Sequence, residues 1–183
     1  TAQVLKLVAA KPDAVFVGGS GTPAVMPHSA LRERGYGGPI YHSHAVANKD
    51  FLRVGGKAIE GARLAVAPVV VSEQLPEGHP NKAVGLAFDK ALEGKYGAEA
   101  RSSFAGASWD GWLITEGAIA TALKTARPGT LEFREAMRNA LEKTARVVGA
   151  NCTYTMSPED HGGYDPRSAV LIEVAGGRWK LVK

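Results

Sequence analysis

Two polar clusters in the first quarter of the chain have the residue types to hold a small ligand. Ser20, Gly21 and Thr22 offer two hydroxyls and free backbone N–H groups just before Pro23, an arrangement that can hold an anionic or polar group at a helix start. The same residues also suit a helix cap, with Ser20 or Thr22 accepting from the first turn and Pro23 at its first position. The two roles are compatible. His42, Ser43 and His44 form the second cluster. Residues i and i+2 of a strand face one side, so the two imidazoles can converge. A transition metal needs three or four ligands, and no third is evident nearby, so a polar ligand contact fits this cluster better than a metal.

Other combinations carry less. Ser157, Asp160 and His161 contain the residue types of a hydrolytic triad, but Ser157 precedes Pro158 and has no Gly-x-Ser-x-Gly setting. Gly18-Gly19-Ser20-Gly21 does not match the G-x-G-x-x-G dinucleotide fingerprint. No cofactor and no catalytic residue is expected. Cys152 is the only cysteine, cannot form an internal disulfide and reads as a buried thiol.

Both clusters need strands to position them. Ala14-Val15-Phe16-Val17 reads as a short buried strand ending at Gly18-Gly19. Ala24 to Arg34 reads as a helix stopped by Gly35, and Ile40-Tyr41 as a second strand ending at His42. Ligands of open α/β sheets lie at such strand ends. Gln3 to Ala10 is expected to be helical, Lys49 to Ile59 to hold one or two short helices, and Arg63 to Ala67 to be a third strand. Right-handed crossovers make these strands one parallel layer.

The pattern changes at Pro68. Val69 to Pro80 reads as a connection, and three helices follow: Asn81 to Tyr96, Trp109 to Ala126 and Leu131 to Lys143. Their apolar stripes call for partners, yet almost no strand lies between them. Tyr154 to Met156 reads as a short strand, Ser157 to Arg167 as a loop, and Ala169 to Val182 as a hairpin turning at Gly176-Gly177. The fold class is therefore α/β, a parallel sheet with flanking helices.

The 183 residues are 45% hydrophobic and 22% charged, ordinary for a globular protein. The net charge of +4 is spread along helices without basic runs, which argues against nucleic acid. No apolar run is long enough to cross a bilayer, and the chain reads as soluble.

Together PDAVFVGGSG, ALRERGYGGPIYHSHA, FAGASWDGWLITEGAIATAL and SPEDHGG…SAVLIEVAGGRWKLV resemble the C-terminal half of a periplasmic substrate-binding protein of the branched-chain amino acid ABC-transporter type. The resemblance covers essentially the whole chain, in order. It implies a type I periplasmic-binding fold, with two α/β lobes joined by three crossovers and the ligand closed between them. Residues 1–70 would belong to the second lobe, 71–150 to helices of the first lobe, and 151–183 to the return crossover and second-lobe hairpin. The strands for the helices of 71–150 would lie in an N-terminal half.

The resemblance further implies a periplasmic, non-enzymatic receptor that traps a small amino acid or organic acid, aromatic acids included, and docks to a membrane permease. By the same resemblance the Ser20-Gly21-Thr22 loop contacts ligand, Trp109 reaches toward the cleft, and the Asp160-His161-Gly162 turn is structural. Asp110 is expected in the first turn of its helix, where an acid favours the dipole. A chain of this extent is expected to self-associate through its uncovered helices. A ligand-sensing regulatory domain of the same fold is the alternative, and a small α/β enzyme a more distant one.

Overall fold

The computed structural model describes residues 2–182. Helix α1, Ala2–Ala9, precedes strand β1, Val15–Val17. A 3-10 turn over Thr22–Ala24 leads into α2, Val25–Glu33. Strand β2, Ile40–His42, is followed by a 3-10 turn at His44–Val46 and by α3, Lys49–Gly55, which Asn48 caps by accepting from the Phe51 N–H at 2.9 Å. Strand β3 is Arg63–Val66.

The next strand of this sheet lies more than a hundred residues on. Between come a kinked 3-10 stretch, Pro68–Gln74, then α4, Lys82–Tyr96, α5, Ser103–Ala122, and α6, Leu131–Leu141. The two-residue strands β4, Val147–Val148, and β5, Thr153–Tyr154, pair antiparallel. Strands β6, Val170–Ala175, and β7, Arg178–Leu181, then complete a five-stranded sheet in the order β1-β2-β3-β6-β7. β1, β2 and β3 are parallel, as expected for the first part of the chain, and β6 and β7 are antiparallel, so the five-stranded sheet as a whole is mixed.

Alternation along the strands explains the core. Val15 and Val17 of β1, Ile40 and His42 of β2, Leu64 and Val66 of β3, and Ile172 and Val174 of β6 turn inward. They meet Leu31, Val46, Phe51 and Ile59 from the connections. Adjacent parallel strands joined right-handedly put α2 and α3 on one face. The other face carries Phe16, 66% exposed, with Leu171 and the Arg63–Glu173 ion pair. At the β6–β7 turn Gly176 and Gly177 have φ of 60° and 71°, the left-handed pair that a two-residue hairpin turn requires. Glu60 accepts from the Gly176 N–H at 2.6 Å, and Gln74 pairs with the Trp179 carbonyl and Leu181 N–H on the free edge of β7.

The start of α5 departs from expectation. The helix begins at Ser103, not Trp109, because Ser102 accepts from the Ala105 N–H at 3.2 Å and caps it. Gly106-Ala107-Ser108 is therefore helix interior, and Gly106 is there because a Cβ would collide with the Asn151 side chain.

Asp110 consequently lies two turns into the helix and does not serve the helix dipole. It is fully buried, and its carboxylate accepts from three successive backbone N–H groups, Ala150 at 2.6 Å, Asn151 at 2.9 Å and Cys152 at 3.2 Å. The Tyr154 hydroxyl donates to it at 3.0 Å. Burial pushes the Asp110 carboxyl pKa up, while all four donors favour the ionised form. Asp110 thereby fixes α5 to the segment that returns to the sheet. Asn81, also fully buried, adds a second tie by donating to the Gly149 carbonyl at 2.9 Å.

Candidate functional site

The loop after β1 and the loop after β2 are stitched together. The Gly21 N–H donates to the Ala45 carbonyl at 3.1 Å, and the Ser43 hydroxyl to the Gly19 carbonyl at 2.6 Å. Gly21 has φ 57° and ψ −153°, a backbone conformation that glycine alone adopts without strain. Gly19 is required by contact, since a Cβ would press on Ala24.

Neither Ser20 nor Thr22 caps the following helix, contrary to expectation. Gly21 takes the cap position of the 3-10 turn, Ala24 that of α2, and neither cap is a side-chain hydrogen bond. Pro23 sits at the helical start, as its fixed φ favours. Ser20 is exposed and Thr22 half-buried, and both lie in the loop beyond the C-terminal end of β1, the edge at which open α/β sheets bind ligands.

The histidine cluster divides. His44 is exposed and opens a 3-10 turn, with its ring 5.9 Å from that of Phe104. His42 is 3% exposed and turns into the core, so the two imidazoles do not converge. Its Nε2 lies 2.9 Å from Nδ1 of His28, and the rings stack at 5.2 Å with 11° between planes. The two-residue strand period fails because the chain leaves β2 at His42. Among the described residues no group of three or more His, Cys, Asp or Glu could hold a metal.

Trp109 does not join this edge. It is 42% exposed, stands 5.8 Å from the Phe88 ring, and walls an apolar groove of about 680 Å³ along α4 with Val84, Ala87 and Tyr96. Phe104, 52% exposed and one residue into α5, takes the place beside His44. Sequence reasoning missed Phe104 because it placed the helix start too late. The Ser102 cap signal was the clue.

Ion pairs flank the edge. Arg101 contacts Glu73 at 2.6 Å, Glu93 at 2.8 Å and Asp89 at 3.4 Å, and Lys49 at the start of α3 reaches Glu99 at 3.5 Å. These contacts join the sheet layer to the α4–α5 layer beside a cavity of about 650 Å³ that includes Trp179 and Arg178. In the tail, Asp160 accepts from the Gly162 and Gly163 N–H groups, and Ser157 accepts from the Glu159 and Asp160 N–H groups. His161 is exposed and faces Glu142 at 3.3 Å. Ser157 and Asp160 are therefore turn formers, and with His161 turned to Glu142 the three do not make a triad.

A periplasmic binding protein family profile matches residues 1–177. No curated protein matches the chain. Among solved structures, an extracellular ligand-binding receptor from Rhodopseudomonas palustris HaA2 is 47% identical with a TM-score of 0.93, over 100% of this chain and 51% of its own. A putative branched-chain amino acid ABC transporter protein from Rhodospirillum rubrum is 26% identical with a TM-score of 0.69, over 99% of this chain and 47% of its own. A solute-binding protein of an R. palustris ABC transporter, solved with benzoate, shares the fold at 18% identity and a TM-score of 0.73, over 100% of this chain and 45% of its own. The chain thus spans about half the length of the structures it matches. The arrangement of β1 to β3 with an antiparallel pair and flanking helices is that of type I periplasmic-binding proteins, and the chain belongs to the periplasmic binding protein family.

Proposed function

We propose that this chain is the C-terminal half of a periplasmic solute receptor of an ABC transporter, binding a small amino acid or organic acid, aromatic acids included, and presenting the closed form to a membrane permease. The observation that carries the reading is the exposed edge where the uncapped Ser20 and Thr22 hydroxyls lie at the strand ends and the His44–Phe104 pair stands at the start of α5. Hydroxyls and imidazole suit a carboxylate, and the Phe104 ring suits an apolar or aromatic body. The benzoate held by the R. palustris relative is in keeping with such a ligand.

Residues 1–70 and 151–183 form the second lobe in this reading, and 71–150 supply first-lobe helices. The uncovered groove along α4 and the open sheet face bearing Phe16 support it, since parallel sheets are ordinarily covered on both faces. The preceding half of the receptor supplies the cover. Trapping a solute requires no acid, base or nucleophile, and no turnover is assigned.

A thermal-shift screen of the chain against benzoate, leucine, glucose and uridine tests the reading. A ligand at 100 times its Kd adds about 2.7 kcal/mol, so a carboxylate should raise Tm while sugar and nucleoside leave it unchanged. Glucose as the strongest hit would refute it.

A further inference from the structure

The buried histidine pair lies directly beneath the stitched loops. His42 is the last residue of β2, one position before the Ser43 that ties down Gly19, and His28 is the fourth residue of α2, which the Ser20-Gly21-Thr22 loop introduces. The rings are 0% and 3% exposed. Only one proton fits between Nδ1 of His28 and Nε2 of His42 at 2.9 Å, so one ring donates and the other accepts. The outer nitrogens, Nε2 of His28 and Nδ1 of His42, have no partner.

The surroundings do not accommodate a charge on either ring. Phe51 of α3 meets His42 edge-on at 5.2 Å between ring centres. Val17 of β1 and Leu64 of β3 are its strand neighbours. On α2 the charged group acting on His28 is Arg32, which repels an imidazolium there. Among the described residues no carboxylate bonds either ring.

We propose that the His28–His42 pair is an acid-sensitive latch: while both rings are neutral and share one proton between them, the pair holds the loops after β1 and β2 in their stitched form, and protonation of the pair releases them. That these are the solute-gripping loops rests on the function proposed above; the latch itself does not. Burial lowers both rings to a pKa of about 4, against about 6.5 once opened to water. The folded value being the lower one, the latch is whole above about pH 6.5 and is lost as pH falls toward 4. Between pH 7 and pH 5 the open form gains about 20-fold for each ring released.

Amide hydrogen exchange of the chain, corrected for intrinsic rates, reads this without any ligand. Protection of the Gly21 and Ser43 amides should fall about 20-fold or more from pH 7 to pH 5, while Val174, bonded to the Ala62 carbonyl, keeps its protection. His28→Gln should show a smaller fall. Constant protection at Gly21 and Ser43, a fall shared equally by Val174, or an unchanged pH response in His28→Gln each overturn the latch. If His28→Gln does not fold, the wild-type comparison of Gly21 and Ser43 with Val174 decides alone. A solute screen that fails leaves this test intact.

Discussion

Replacing Asp110 with Asn keeps the shape of the side chain and removes half of its accepting capacity. Oδ1 receives the Ala150 N–H, and Oδ2 receives Asn151, Cys152 and Tyr154. An amide in either orientation sets an NH2 against a donor and leaves at least one buried N–H without a partner. Each such loss costs about 1–3 kcal/mol. The losses are not additive, because the donors share one carboxylate, and about 3–4 kcal/mol is expected for Asp110→Asn. Asp110→Ala strands all four donors and should cost at least as much. For a chain of this size 1 kcal/mol moves Tm by about 2–4 °C, so Asp110→Asn should melt about 6–16 °C lower. Gly149→Ala offers an independent check, since the new methyl would collide with the same carboxylate. Urea and thermal unfolding at pH 7.5 measure both. Asp110→Asn within 1 kcal/mol of wild type would refute the reasoning that the four-donor bracket fixes α5.

Asp89 gives a prediction of opposite sign. It is 2% exposed, and burial pushes its carboxyl up to about 6 despite Arg101 at 3.4 Å. With the folded pKa above the unfolded one, native stability falls as pH rises from about 4 to 6, by up to about 3 kcal/mol. Asp89→Asn should therefore be more stable than wild type at pH 7.5 and nearly equal at pH 4.5, Arg101 retaining Glu73 and Glu93; a loss above 1 kcal/mol at pH 7.5 in urea melts contradicts it. Ser20→Ala and Thr22→Val should leave Tm within about 1 °C, as neither hydroxyl caps a helix, while weakening benzoate binding by calorimetry several-fold; unchanged binding in both removes the loop from the site. The groove of Val84, Ala87, Tyr96 and Trp109 should drive the chain alone to associate, at about 25 cal/mol per Å² covered. Light scattering that finds a monomer at high micromolar concentration goes against it.

Much of the framework was legible in the sequence because local rules decide it. Apolar runs bounded by Gly and Pro set β1, β2 and β3 within one or two residues, helical spacing set α4 and α6, and Gly176-Gly177 set the hairpin. The motif order pointed to the family that the profile match shows. The helices of 71–150 were legible as elements without a sheet, since an apolar stripe needs a partner wherever that partner lies.

Tertiary structure alone decided which polar residues are spent inside the fold. His42 belongs to the core because residue 28 of a helix, fourteen positions earlier, meets it with a matching nitrogen. Ser43 is committed to Gly19, whereas Ser20 and Thr22 are left uncapped because Gly21 bends the chain past the capping geometry. Asp110 resembled a helix-start acid until three amides forty residues away gathered on it. Residue type and spacing show what a side chain can bond. Which donor or acceptor arrives to claim it depends on long-range packing, and that separates the loop left facing solvent from the polar groups that hold it in place.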